Sequence, residues 1–239
     1  MKESVLYQIV HLARGRARNV EEHAALLDAA SRALFRRPYR PDLRALATRI
    51  ERHAAAEHYP TGVSGFIRIE LNAEGEESLR PEGISLYDGY ALRSLHPDAA
   101  TLRYEPLCPD LPTSAREATE RLAAQIVRRR KADVAVRCDG EGRLLSADNA
   151  PLFALCDGTA YLSPTPPGVE AELLCETIRA LGMPLRREAL RRSDLPRIEE
   201  LFYVDHRGIT ALAHCDGMPL MTLRAEQLAE ALEQRFRKM

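Results

Sequence analysis

The sequence predicts an α+β protein of two domains, and two observations carry the prediction. Short helical and strand patterns follow one another as helix–strand–hairpin units, not as the repeating βα units of a parallel doubly wound sheet. Three prolines, Pro106, Pro109 and Pro112, punctuate residues 105–113, which read as a linker. The domains are accordingly placed at 1–107 and 108–239.

Residues 5–10 read as a strand, with Arg14-Gly15-Arg16 as the turn after it. Ala24, Leu27, Ala30 and Leu34 recur at helical spacing and predict a helix over 20–35, with Asn19 as its N-cap. Pro38 and Pro41 end it, and a second helix follows over 42–58. Gly62-Val63-Ser64-Gly65 leads into a strand at 66–71, a turn at 72–77 and further strands at 84–95 and 101–106. Past the linker, 114–130 is predicted helical. Strands at 132–138 and 143–145 flank the turn Asp139-Gly140-Glu141-Gly142, and 151–155 and 159–162 flank Asp157-Gly158. A helix over 170–181 stops at Gly182. A short strand at 184–188, a brief helix opened by Ser193-Asp194-Leu195, strands at 200–204 and 209–214, and a helix at 223–238 complete the chain.

With 239 residues, 45% hydrophobic and 29% charged, the chain can bury a core without disulfide support, which excludes intrinsic disorder. Its 34 basic and 35 acidic residues leave a net charge of -1, so no nucleic-acid partner is expected. The basic run from Arg128 to Lys131 reads as a solvated helix end, where positive charge suits the dipole. No apolar run approaches the roughly 20 residues of a membrane helix, and no signal-peptide pattern opens the chain. A soluble cytoplasmic protein with no membrane partner is expected.

The basic residues are almost all arginine: only Lys2, Lys131 and Lys238 are lysines. Arginine stays protonated, whereas lysine can lose its proton and attack a carbonyl. Chemistry that needs a Schiff-base lysine therefore has three candidates. Cys108, Cys138, Cys156, Cys175 and Cys215 form no C-x-x-C pair and read as reduced thiols packed in or near the core. His53 and His58 flank Glu57 at a spacing that turns them to different helix faces, so no metal site is expected. Ser64 lacks the G-x-S-x-G surroundings of a nucleophile elbow, and Asp205-His206 reads as a turn bonding local backbone.

Several segments together resemble the class IV aminotransferase family, the fold-type-IV pyridoxal-phosphate proteins. That family includes branched-chain and D-amino-acid aminotransferases and 4-amino-4-deoxychorismate lyase. The segments are Pro167-Gly168-Val169 with the helix after it, Gly182-Met183-Pro184-Leu185, and the strand Glu200-Leu201-Phe202-Tyr203-Val204 followed by Gly208-Ile209-Thr210-Ala211-Leu212. Ala132-Asp133-Val134-Ala135-Val136, Asp139-Gly140-Glu141-Gly142-Arg143 and Asn149-Ala150-Pro151-Leu152-Phe153 resemble the family's preceding hairpin region. Glu22-His23 and Gly65-Phe66-Ile67-Arg68-Ile69 are similar to its N-terminal segments. The resemblance implies a small N-terminal α/β domain, a larger C-terminal pseudo-barrel domain, a homodimer, and pyridoxal phosphate held on a lysine.

The catalytic pattern departs from the family's. Its lysine position falls at Thr113. Lys131 lies at the other end of the following helix, about 27 Å away at 1.5 Å per residue, beyond a side chain's reach of about 6 Å. The carboxylate that holds the pyridine nitrogen protonated falls at Ser146, so the ring would lose its electron-sink character. A phosphate-binding arginine is matched by Leu26, and the phosphate-binding helix start reads Gly168-Val169-Glu170-Ala171. Glu170 would occupy the positive helix end and oppose a dianion.

The sequence is therefore read as a catalytically degenerate relative, with no catalytic residue, no metal and no cofactor expected beyond pyridoxal phosphate by resemblance alone. An active aminotransferase or aminodeoxychorismate lyase, using a displaced lysine such as Lys131 or a different alignment of the linker region, is the alternative. A third reading is a protein that binds a small amino or carboxylic acid, or an enzyme of another chemistry, reusing an interdomain cleft. Arg68, Thr113, Ser146, Gly168, Val169 and Thr210 are the ligand-cleft candidates, because they match family positions lining the site.

Overall fold

The computed structural model describes residues 4–86, 88–90, 96–164 and 166–237, the side chains of 236 and 237 excepted. The chain divides into two compact units, Met1–Gly89 with Leu111–Ala115, and Tyr90–Asp110 with Arg116–Met239.

In the first unit β1 (Leu6–Ala13), β2 (Arg16–Ala17), α1 (Val20–Leu34), α2 (Leu43–Ala56), β3 (Gly65–Leu71) and β4 (Glu77–Ile84) follow in order. The strands form an antiparallel sheet, β2-β1-β3-β4. Alternation decides what each face does. Leu6, Val10, Leu12, Ile67, Ile69 and Leu71 pack against Ala24 and Leu27 of α1 and Leu46 and Ile50 of α2. Tyr7, Ile9, His11, Phe66, Arg68 and Glu70 share the opposite face, in the pairs Tyr7↔Glu70, Ile9↔Arg68 and His11↔Phe66.

Asp42 caps α2, its Oδ1 accepting from the Ala45 N–H at 3.0 Å. Asn19 does not cap α1 with its side chain: it takes a left-handed conformation (φ 53°), which asparagine tolerates, and its carbonyl alone starts the helix. The strand predicted at 84–95 forms earlier, as β4. Asn72 closes the turn by accepting from the Glu76 N–H at 2.8 Å, so the chain returns at once along β3. Pro81 is accommodated because β4 is an edge strand. Tyr87 and residues 91–95 of that predicted strand lie outside the described residues. Leu111–Ala115 joins this unit because the segment runs antiparallel beside the start of β1. Thr113 is bridged to Leu6, and the Ser114 N–H donates to the Val5 carbonyl at 2.9 Å.

The second unit contains β5 (Asp98–Arg103), α3 (Ser114–Arg128), β6 (Val134–Cys138), β7 (Leu144–Ala147), β8 (Ala150–Cys156), β9 (Thr159–Leu162), α4 (Val169–Ala180), β10 (Leu185–Arg186), a 3-10 turn (Arg192–Arg197), β11 (Glu200–Asp205), β12 (Gly208–Ala211), β13 (His214–Cys215), β14 (Met218–Pro219) and α5 (Leu223–Arg237). Its strands run β10-β9-β8-β7-β6-β5-β13-β14, with β11 joining β8 to β12. The strand expected at 101–106 begins at Asp98 because it pairs in parallel with β6, from Ala99↔Val134 to Arg103↔Cys138.

Strand β8 is buried along its whole length, which explains its unbroken apolar run. Ala150, Leu152 and Ala154 face a cluster that also draws on β5, β6, β7, β11 and β13, so the sheet curls around it as a pseudo-barrel requires. Phe153 and Leu155 face the other way, beneath α4 and α5, where Leu174, Ile178 and Leu228 cover them. Gly182 ends α4 with φ +72°, and the Met183 N–H reaches back to the Ile178 carbonyl at 3.2 Å. The start of α5 is capped from a distance: the buried Glu200 accepts the Arg224 and Ala225 N–H groups at 2.7 and 2.8 Å. No helix among the described residues is long and apolar enough to cross a membrane.

Candidate functional site

In the second unit the sheet register assembles part of the predicted site. Arg137 on β6 pairs with Ser146 on β7, and Ser146 pairs with Pro151 on β8. Cross-strand partners share a face, and Arg137 Nε donates to Ser146 Oγ at 3.2 Å. Pro151 in turn meets the start of α4. A Cβ at Gly168 would lie 3.0 Å from Pro151 Cγ, so the missing side chain is what permits this approach. Val169 follows, also buried. Ser146, Gly168 and Val169 thus form one neighbourhood.

Thr210 does not join it. It pairs with Tyr203 on β11, and Tyr203 pairs with Leu152 on β8. Leu152 neighbours Pro151 and therefore points to the other face. Thr210, 1% exposed, lies across the sheet from Ser146.

In the first unit Arg68 lies on the sheet face away from the helices. Its Cζ is 3.7 Å from the Tyr7 ring centroid, and its Nε is 3.1 Å from Glu70. Thr113 is buried against β1 beside Leu6, one residue from Tyr7.

Sequence reasoning missed a buried charged cluster beside Ser146. Arg137 is 2% exposed and also reaches Glu105 at 3.2 Å. Tyr104 donates its hydroxyl to Glu120, and Arg116 on the same helix donates to the Asn149 carbonyl at 2.7 Å. Burial pushes the Glu120 carboxyl above its ordinary range, against the pull of Tyr104, Arg116 and Arg137. Burial raises Tyr104 too, and the Glu120 charge adds to it. The signal was present in the sequence: Arg137 interrupts the apolar run 134–138, and Arg116 and Glu120 are an i, i+4 pair.

These residues do not fit pyridoxal phosphate held as a Schiff base. At the position that the family resemblance assigns to the lysine, Thr113 offers a hydroxyl and not an amine. Lys131, the one lysine among the described residues, is exposed in a left-handed turn past the C-terminus of α3. Ser146 faces a guanidinium, a donor that cannot hold a proton on a pyridine nitrogen. Glu170 is buried in the first turn of α4.

Cys138, Cys156, Cys175 and Cys215 are buried and Cys108 is exposed, all as free thiols. Burial pushes Cys175 up to about 11 and Cys215 up to about 12, so neither is a nucleophile near neutrality. Asp205 accepts from the Arg207 N–H at 2.7 Å, the local turn expected of it. No group of three or more His, Cys, Asp or Glu among the described residues could hold a metal ion.

No family model matches the sequence, and neither does any curated protein. Solved structures do match the fold. A fold IV transaminase from Curtobacterium pusillum superposes with a TM-score of 0.79 at 18% identity, covering 98% of this chain and 86% of its own. A protein assigned as a 4-amino-4-deoxychorismate lyase from Legionella pneumophila gives 0.81 at 14% identity, covering 97% and 91%. The branched-chain amino acid aminotransferase of Escherichia coli gives 0.76 at 16%, covering 99% and 85%. The chain has the fold of the class IV, fold-type-IV aminotransferases.

Proposed function

We propose that this chain is a class IV aminotransferase-like protein that does not carry out pyridoxal-phosphate catalysis and binds a small amino or carboxylic acid instead. The observation that carries this reading is Thr113 at the start of α3, with Lys131 exposed beyond the other end of a helix about 22 Å long. Some of the similar structures are pyridoxal-phosphate-bound aminotransferases, so the fold accepts the cofactor. The side chains at the family's lysine and pyridine-nitrogen positions argue against its use in this chain.

The test is reconstitution. After mixing with pyridoxal phosphate and removing the free cofactor, the protein retains no visible absorbance band from a lysine-bound cofactor. A retained band that Lys131→Ala abolishes overturns the reading in favour of an active aminotransferase or aminodeoxychorismate lyase.

The family resemblance further supports a homodimer, and free thiols suit a reducing compartment such as the cytoplasm. Sedimentation velocity should give the mass of two chains. The mass of one chain would remove the dimer from this proposal.

A further inference from the structure

We infer that the first turn of α4 is closed by the protein's own Glu170 side chain, so that this part of the site excludes phosphate esters and its ligands are non-phosphorylated. The inference rests on the proposed function and adds the ligand class.

Backbone N–H groups at a helix start attract anions only when they face open space. Val169, Glu170 and Ala171 are all buried at the start of α4. The Glu170 side chain is itself buried in this first turn, its Oε1 sealed from solvent, so an acceptor group already occupies the turn. In front of the turn, the Pro151 ring lies against Gly168, where even a methyl group would meet it at 3.0 Å. Behind it, Ala171 packs with Val204 and Ile209 in an apolar cluster. A phosphate entering this turn would have to displace the carboxyl and strip its own hydration against carbon atoms.

The sequence expectation was that Glu170 occupies the positive helix end and opposes a dianion, and the side chain is buried there. Exclusion therefore comes from occupancy, and removing the side chain should relieve it.

The experiment compares wild type, Glu170→Thr and Glu170→Ala by calorimetry with inorganic phosphate, pyridoxal and pyridoxal phosphate. Wild type should not distinguish pyridoxal phosphate from pyridoxal. Either variant that keeps the wild-type circular dichroism spectrum should bind phosphate and pyridoxal phosphate about tenfold more tightly than wild type, with pyridoxal unchanged. Two results overturn the inference: a wild-type preference for pyridoxal phosphate over pyridoxal, or folded variants with no gain. The absorbance spectrum separates this failure from that of the proposed function. Phosphate-dependent binding without a visible band overturns only the closed turn, whereas a lysine-bound band overturns the proposed function.

Discussion

Glu170→Gln should remove a loss of stability that the wild-type protein suffers as the pH rises from about 5 to about 9. Burial, more than any other influence, pushes the Glu170 carboxyl up to about 8. The bond from its own backbone N–H opposes the rise, and the negative Asp205 adds to it. The unfolded chain releases this proton in the ordinary carboxylate range, while the folded chain keeps it. Between those limits the unfolded state binds fewer protons, so stability falls with rising pH until the folded form also ionises. The whole loss is on the order of 5 kcal/mol for a displacement of this size. Glutamine keeps the shape and a hydrogen-bonding head but cannot ionise. Denaturant unfolding at several pH values should find variant and wild type alike near pH 5 and the variant more stable above about pH 8. Parallel curves for the two proteins would show that Glu170 is not the group responsible.

Phe153→Ala should cost about 3–5 kcal/mol, a large fraction of what a single domain has. Phe153 on β8 and Phe202 on β11 are register partners with their rings stacked 5.4 Å apart and 3° from parallel. Both are 0% exposed beneath α4 and α5, where neighbouring strands hold the backbone and the gap cannot collapse. The denaturant midpoint should fall with the slope unchanged. Leu86→Ala is the control: that side chain is 87% exposed, and its loss should cost less than about 0.5 kcal/mol. Equal effects of the two would mean that the β8–β11 contact does not hold the second unit together.

Part of the neighbourhood around Ser146 was legible in the sequence. The α4 helix and its Gly182 stop stand within a residue of where the residues alone put them, because local chemistry suffices: an apolar periodicity and a glycine past the end. The charged cluster was not. Arg137 and Glu120 are 16 and more residues from their partners Tyr104 and Glu105, and spacing in a chain says nothing about which buried charges will meet.

The sequence by itself determined the class of fold and most helices and strands, since these depend on short-range periodicity and residue identity. Tertiary structure alone decided the rest. It made Glu200, on a strand, the cap of α5 more than 20 residues away. It paired β5 with β6, drew Leu111–Ala115 to β1, and turned Thr210 to the face opposite Ser146. It also buried Glu170 in the first turn of α4. Each of these outcomes is set by contacts between residues distant in the chain, whose energies exist only once the backbone has brought them together.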